Sequence, residues 1–197
     1  MRHLYIIGDS NAKYLVDPIS EHKYFHDIPM GDITVHIRSF RSKTAYQVDS
    51  SLLDSIEFED DSVVLFYFGM IDIRSYSTRY KNTEEVALKY IYTVKQYFKD
   101  KNIKFGFIEP IPSPHIDDWT NVFPELYNWV SGSVEERLLE HNKFVSVISL
   151  EDLFIPVIGP VLKSYHMTTE HTDDFNHLNI KHNNLLLDYI LLNIKNL

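Results

Sequence analysis

The stretch Leu4-Tyr5-Ile6-Ile7, closed by Gly8-Asp9-Ser10, sets the reading of the fold. Four apolar residues without polar alternation suit a strand buried on both faces of a parallel sheet, and the glycine permits a sharp turn out of it. Comparable runs recur at Ile33 to Ile37, Val63 to Phe68 and Ile103 to Ile108, each of strand length and rich in β-branched or aromatic residues. Helical patterns lie between them. In Thr83 to Lys99, Val86, Tyr90, Ile91, Val94 and Phe98 recur at three-to-four spacing behind Thr83-Glu84-Glu85, which resembles a cap with an acidic first turn. Tyr46 to Ile56, with Val48, Leu52, Leu53 and Ile56, predicts a second helix. Ser133 to His141 opens on Ser-Val-Glu-Glu, a capping-box pattern. It leads either into a strand at Phe144 to Ser149 or, as one helix through Leu150, into a last strand at Ile155 to Ile158. Ile180 to Ile194 predicts a closing helix with a broad apolar face. This alternation of strand and helix predicts a three-layer α/β/α sandwich with a mainly parallel sheet. At roughly 150 residues per domain, with no internal repeat or long linker, the 197 residues predict one domain over 1–197.

Composition narrows the chemistry. With 19 Lys+Arg against 28 Asp+Glu, the net charge of −9 argues against nonspecific nucleic-acid binding. The absence of cysteine removes disulfides, thiolate ligands and a Cys nucleophile, leaving Ser, His, Asp and Glu as reactive groups. The first apolar run is too short for a signal-peptide core, and no stretch reaches the roughly 18 residues of a membrane span. The expectation is cytoplasmic synthesis without membrane association, with action outside the cell requiring lysis, a nonclassical route or incorporation into a larger particle such as a virion. His166, His171, His177 and His182 lie near Asp173 and Asp174 but form no His-x-x-x-His framework, so neither metal nor other cofactor is expected.

In open α/β sheets ligands bind at the carboxyl ends of the strands. The first strand ends in Gly8-Asp9-Ser10, where a serine near a helix start has its hydroxyl and adjacent N–H groups exposed. Taken alone, the tripeptide is more simply a helix cap. A later strand ends in Gly69-Met70-Ile71-Asp72-Ile73-Arg74, which puts an acid and a base at the same edge, where they can also pair with one another. Before the closing helix, Asp174 and His177 stand three apart, a spacing at which a carboxylate orients an imidazole. Glu109 to Val130, with Pro110, Pro112, Pro114 and Pro124, is a long irregular stretch suited to a pocket wall. Its His115 reads first as an exposed loop residue, and Trp119 and Trp129 as loop anchors before sugar-stacking platforms.

In this order along a parallel sheet, the three blocks resemble those of the SGNH (GDSL-like) hydrolase family. Ser10 matches the nucleophile block, and Asp174 with His177, continued by Leu178-Asn179, matches the final Asp-x-x-His block. Tyr67 to Arg74 resembles a Gly-Glu-Ile-Asp-Cys-Arg variant of the third block found in some bacterial and phage proteins. The resemblance implies a flavodoxin-like sandwich and a serine esterase acting on small acyl esters. In it Ser10 attacks, His177 is general base then acid, and Asp174 holds the imidazole tautomer. It implies a small-molecule or polysaccharide ester as substrate, most simply an acetylated carbohydrate. Ser42, Gly69, Asp72 and Arg74 would line the oxyanion or substrate site. Two departures stand out. Ile71 occupies the place of the usual oxyanion Asn, and Ser39 to Ala45 contains no glycine where the second block supplies one. Loss of one oxyanion donor costs about 2.7–4 kcal/mol of transition-state stabilisation, for which Arg74 is the candidate substitute. A noncatalytic binding or structural module, a lipase- or thioesterase-like enzyme and an acyltransferase are the alternatives on the same fold.

Overall fold

The computed structural model describes residues 2–16, 24–76, 82–112, 132–163, 170–172 and 177–195. Strand β1 (Arg2–Gly8) is followed by a short helix α1 (Ser10–Tyr14), then β2 (Phe25–Met30) and β3 (Ile33–Ser39). A 3-10 turn at Ala45–Gln47 and helix α2 (Ser50–Asp54) lead to β4 (Val63–Tyr67) and α3 (Met70–Arg74). The rest is α4 (Thr83–Phe98), β5 (Lys104–Ile108), α5 (Val134–Ile148), β6 (Phe154–Ile155) and α6 (Ile180–Lys195).

The six strands lie in the order β2-β3-β1-β4-β5-β6, all parallel except the edge strand β2. Taken alone, the parallel strands follow the flavodoxin-like order, whose direction of winding reverses beside β1. Register sets the layers. Leu4 and Ile6 of β1 lie opposite Val35 and Ile37 of β3, and all four face a core closed by Ala12 and Leu15 and by Leu186, Leu187, Ile190 and Ile194 of α6. Tyr5 and Ile7 face the other core, where Val64, Phe66 and Phe107 meet Val86, Tyr90, Val94 and Phe98 of α4 and Phe144 and Ile148 of α5. Successive side chains of a strand point to opposite faces, and both are covered, so the central strands carry unbroken apolar runs.

The helices Thr83–Phe98 and Ile180–Lys195 fall where the spacing placed them. Three local readings change. The pattern at Tyr46 to Ile56 is two pieces, because Val48 is extended (φ −67°, ψ 124°) and the Asp49 carboxylate accepts the Leu52 N–H at 2.9 Å, restarting the helix. Phe144 to Ser149 is not a strand. The helix capped by Ser133 and Glu136 runs on to Ile148, so His141, Phe144 and Ile148 share its buried face, and the last strand is Phe154–Ile155. The edge strand β2 had no counterpart in the apolar pattern. It alternates between exposed and half-buried residues and turns into β3 through Gly31-Asp32, with Asp27 opposite His36 at 2.7 Å and reaching Arg38 at 2.8 Å.

Phe66 is fully buried with ring centroids of Tyr90, Phe98 and Phe107 about 6 Å away. Phe66→Ala is expected to cost about 3–5 kcal/mol of stability in urea unfolding. A loss under about 1 kcal/mol would mean that this layer is not close-packed.

Candidate active site

The turn from β1 into α1 is made by Gly8, because a Cβ there would lie 2.5 Å from the Tyr67 carbonyl oxygen and 2.8 Å from the Ala12 Cβ. The next residue, Asp9, caps the helix. Its buried carboxylate accepts the backbone N–H and the side-chain N–H of Asn11, both at 2.9 Å. Burial pushes the Asp9 carboxyl up, against the opposing pull of the Asn11 donors and the charges of His177 and Arg74. Asp9 therefore takes the cap role that Gly8-Asp9-Ser10 suggested, which leaves the Ser10 side chain for other contacts.

That contact is His177. Ser10 Oγ and His177 Nε2 lie 2.8 Å apart although the two residues are 167 positions apart in the sequence. Tyr14, one turn beyond Ser10 on α1, stacks on the imidazole with centroids 3.9 Å apart and planes within 4°. The chain just after His177 is fixed by the Thr172–Leu178 bridge and by the Asn179 N–H, which donates to the His171 carbonyl at 2.8 Å. The Asn179 side-chain oxygen then accepts the His182 N–H at 3.1 Å, opening α6. Asp174 lies outside the described residues, as do His115, Trp119, Trp129, His166 and Asp173.

Next to β1, β4 is followed by Phe68 and by Gly69 (φ +119°), which caps the start of α3. A side chain is excluded there twice over, by the backbone angle and by the Phe144 ring, 2.7 Å from where a Cβ would sit. Asn11 Nδ2 donates to Met70 Sδ at 3.3 Å, tying α1 to α3. Ile71 is buried and offers no polar side-chain atom. Arg74 is half-buried and close enough to act on the charge of Asp9. Asp72 is fully buried, and its partners are the loop after β3: Ala45 N–H at 2.7 Å and Tyr46 N–H at 3.3 Å. The idea that Asp72 and Arg74 pair with one another gives way to this backbone pairing. Burial raises the Asp72 carboxyl to about 7 in spite of the two donors. Ser42 stands exposed at φ +60° in the turn from Phe40 to Lys43.

Tyr14, which stacks on His177, and the buried Glu109 were not singled out by the sequence reading. Glu109, directly after β5, is buried, and its Oε2 accepts the N–H groups of Val157 at 2.7 Å and Ile158 at 2.9 Å. Its Oε1 lies 3.9 Å from His141 Nε2, which itself is 3.0 Å from the Pro110 carbonyl oxygen, and burial pushes the His141 imidazole down. Among the described residues no group of three or more His, Asp or Glu is placed to hold a metal ion, and no helix is long and apolar enough to cross a membrane.

The sequence matches no family model and no curated protein. Solved structures do match. The chain has the fold of known esterases. A candidate platelet activating factor from Streptococcus pneumonia aligns at TM-score 0.70 and 17% identity over 97% of this chain and 83% of that one. Est24, a carbohydrate acetylesterase from Sinorhizobium meliloti, aligns at 0.65 and 17% over 99% of each. The M. smegmatis aryl esterase aligns at 0.62 and 14% over all of both chains. At such identities the likeness establishes the architecture, a six-stranded, mostly parallel sheet between helices.

The raised Asp72 carboxyl has a thermodynamic signature. An unfolded Asp titrates near 3.9, so between about pH 4 and 7 the native state holds a proton that the unfolded chain has released, and stability falls as pH rises through that window. Asp72→Asn removes this slope. The stability of the variant relative to the natural chain should rise by up to a few kcal/mol between pH 4 and 8 in urea unfolding, and a constant difference would refute the raised value.

Proposed function

We propose that the protein is a serine esterase that hydrolyses small acyl esters, most simply the acetyl esters of a carbohydrate. The observation that carries this reading is the 2.8 Å approach of Ser10 Oγ to His177 Nε2 at the carboxyl end of β1. The crevice between β1 and β4, where the winding of the sheet reverses, is where ligands bind in such folds. Est24 supports the carbohydrate ester, as a carbohydrate acetylesterase on the same fold.

The chemistry follows from the residues. Ser10 Oγ attacks the ester carbonyl while His177 Nε2 takes its proton, and the collapsing tetrahedral intermediate releases the alcohol, which leaves with that proton. Water then attacks the acyl-serine, again with His177 as base, and the carboxylic acid departs as Ser10 regains its proton. Asp174 is assigned the task of holding the imidazole tautomer from its other nitrogen. The oxyanion falls to the Ser10 N–H at the start of α1, to the N–H groups around Ser42 and to the cationic Arg74, since Ile71 has nothing to donate. Ile71 is also what favours the second reading, a noncatalytic module that keeps the fold.

Hydrolysis of p-nitrophenyl acetate and butyrate separates the two. The natural chain should cleave the acetate faster, and Ser10→Ala or His177→Asn should each lower kcat by about 10³-fold or more. Equal rates for the natural chain and Ser10→Ala would leave the noncatalytic module, and a preference for butyrate would point to a lipase- or thioesterase-like enzyme.

A further inference from the structure

Strand β1 lies between β3 and β4, so the segment that leaves β3 and reaches α3 beyond β4 crosses the carboxyl end of β1, where Ser10 stands. That segment, residues 40–46, is stapled at both ends. At its start, Ser39 Oγ donates to the Asp9 carbonyl at 2.7 Å and the Phe40 N–H to the Gly8 carbonyl at 2.8 Å. At its end, the Ala45 and Tyr46 N–H groups donate to Asp72. Between the staples the chain makes one turn with Ser42 in the left-handed region, and the N–H groups of Arg41 and Ser42 donate to no described residue.

The second staple comes from inside the protein. Asp72 sits on α3 with no exposed surface, and an ionised carboxylate accepts from two N–H groups at once, whereas an amide has a single acceptor oxygen. The Asp9 carboxylate at the start of α1 repels it, and the Tyr90 hydroxyl of α4 lies within its electrostatic reach. A buried charge so placed is costly unless its hydrogen bonds are kept, so the bonds to Ala45 and Tyr46 are the ones the loop is least free to give up.

We propose that Asp72 is a positioning residue. Through the Ala45 and Tyr46 N–H groups it fixes the 40–46 loop across the end of β1, so that the loop's backbone N–H groups are held where they can donate to the oxyanion beside the Ser10 N–H. This rests on the esterase reading for its chemistry, while the hold on the loop is observable without any reaction.

Two measurements test it. In amide NMR spectra of the natural chain and of Ser10→Ala, the Ala45 and Tyr46 signals should titrate together with a midpoint near the Asp72 value of about 7, and Asp72→Asn should abolish that titration. With p-nitrophenyl acetate, Asp72→Asn should lower kcat by roughly 10- to 100-fold with KM changed by less than about threefold, and the variant's kcat profile should lose a step near neutrality that the natural chain shows. Signals that do not titrate, or an Asp72→Asn enzyme with the natural kcat, would overturn the assignment. The titration of the natural chain needs no variant, so it decides even if Asp72→Asn does not fold. Titrating amides in a protein inert toward esters would support the hold on the loop while removing the esterase reading.

Discussion

Three carboxylates buried at the carboxyl ends of neighbouring strands organise this end of the molecule. Asp9 follows β1, Asp72 follows β4 and Glu109 follows β5, and each accepts two N–H groups from a segment that would otherwise have no regular partner. Asp9 starts α1, Asp72 holds the loop after β3, and Glu109 holds the chain leaving β6. In a low-dielectric interior such bonds are strong, and leaving one of them unmade is expensive, so each carboxylate has few alternatives to its segment. The Ser10–His177 pair stands at this same end of the sheet.

The same geometry brings together residues from the two ends of the chain. A five-residue helix carries Ser10 and Tyr14 on one side, and His177 reaches them from the segment before α6. Tyr14 covers one face of the imidazole, which hinders the ring from tilting about its Cβ–Cγ bond. Because β1 is central and its outgoing turn is packed against β4 through Gly8, Ser10 follows a turn with no room for a side chain at its start.

Much of this was legible in the sequence, and the failures have physical causes. Strands covered on both faces leave continuous apolar runs, and helices α4 and α6 leave clean periodicity, so both classes were found. Phe144, Val145, Val147 and Ile148 were ambiguous because a short β-branched run satisfies a strand pattern while Phe144 and Ile148 also satisfy a helical one. Strand β2 was missed because an edge strand half in water carries no apolar run. Gly8-Asp9-Ser10 was visible at the end of an apolar run, and His177 as a histidine just before the closing helix. Asp72 and Glu109 were not readable as clamps, because what they hold is backbone N–H, which every residue except proline presents alike. Tyr14 could be placed one turn from Ser10 only once the short helix was known.

The two rims of the sheet also bear on how the molecule behaves in a crowd. An open strand edge is a template on which another chain can lay a strand of its own. Here one rim is β2, whose Pro29 withdraws a donor from the ladder and whose Asp27 is held in a charged cluster with His36 and Arg38. The other rim is β6, only two residues long. Among the described residues neither rim offers a long, flat, apolar track on which one molecule could zip strand by strand onto the next.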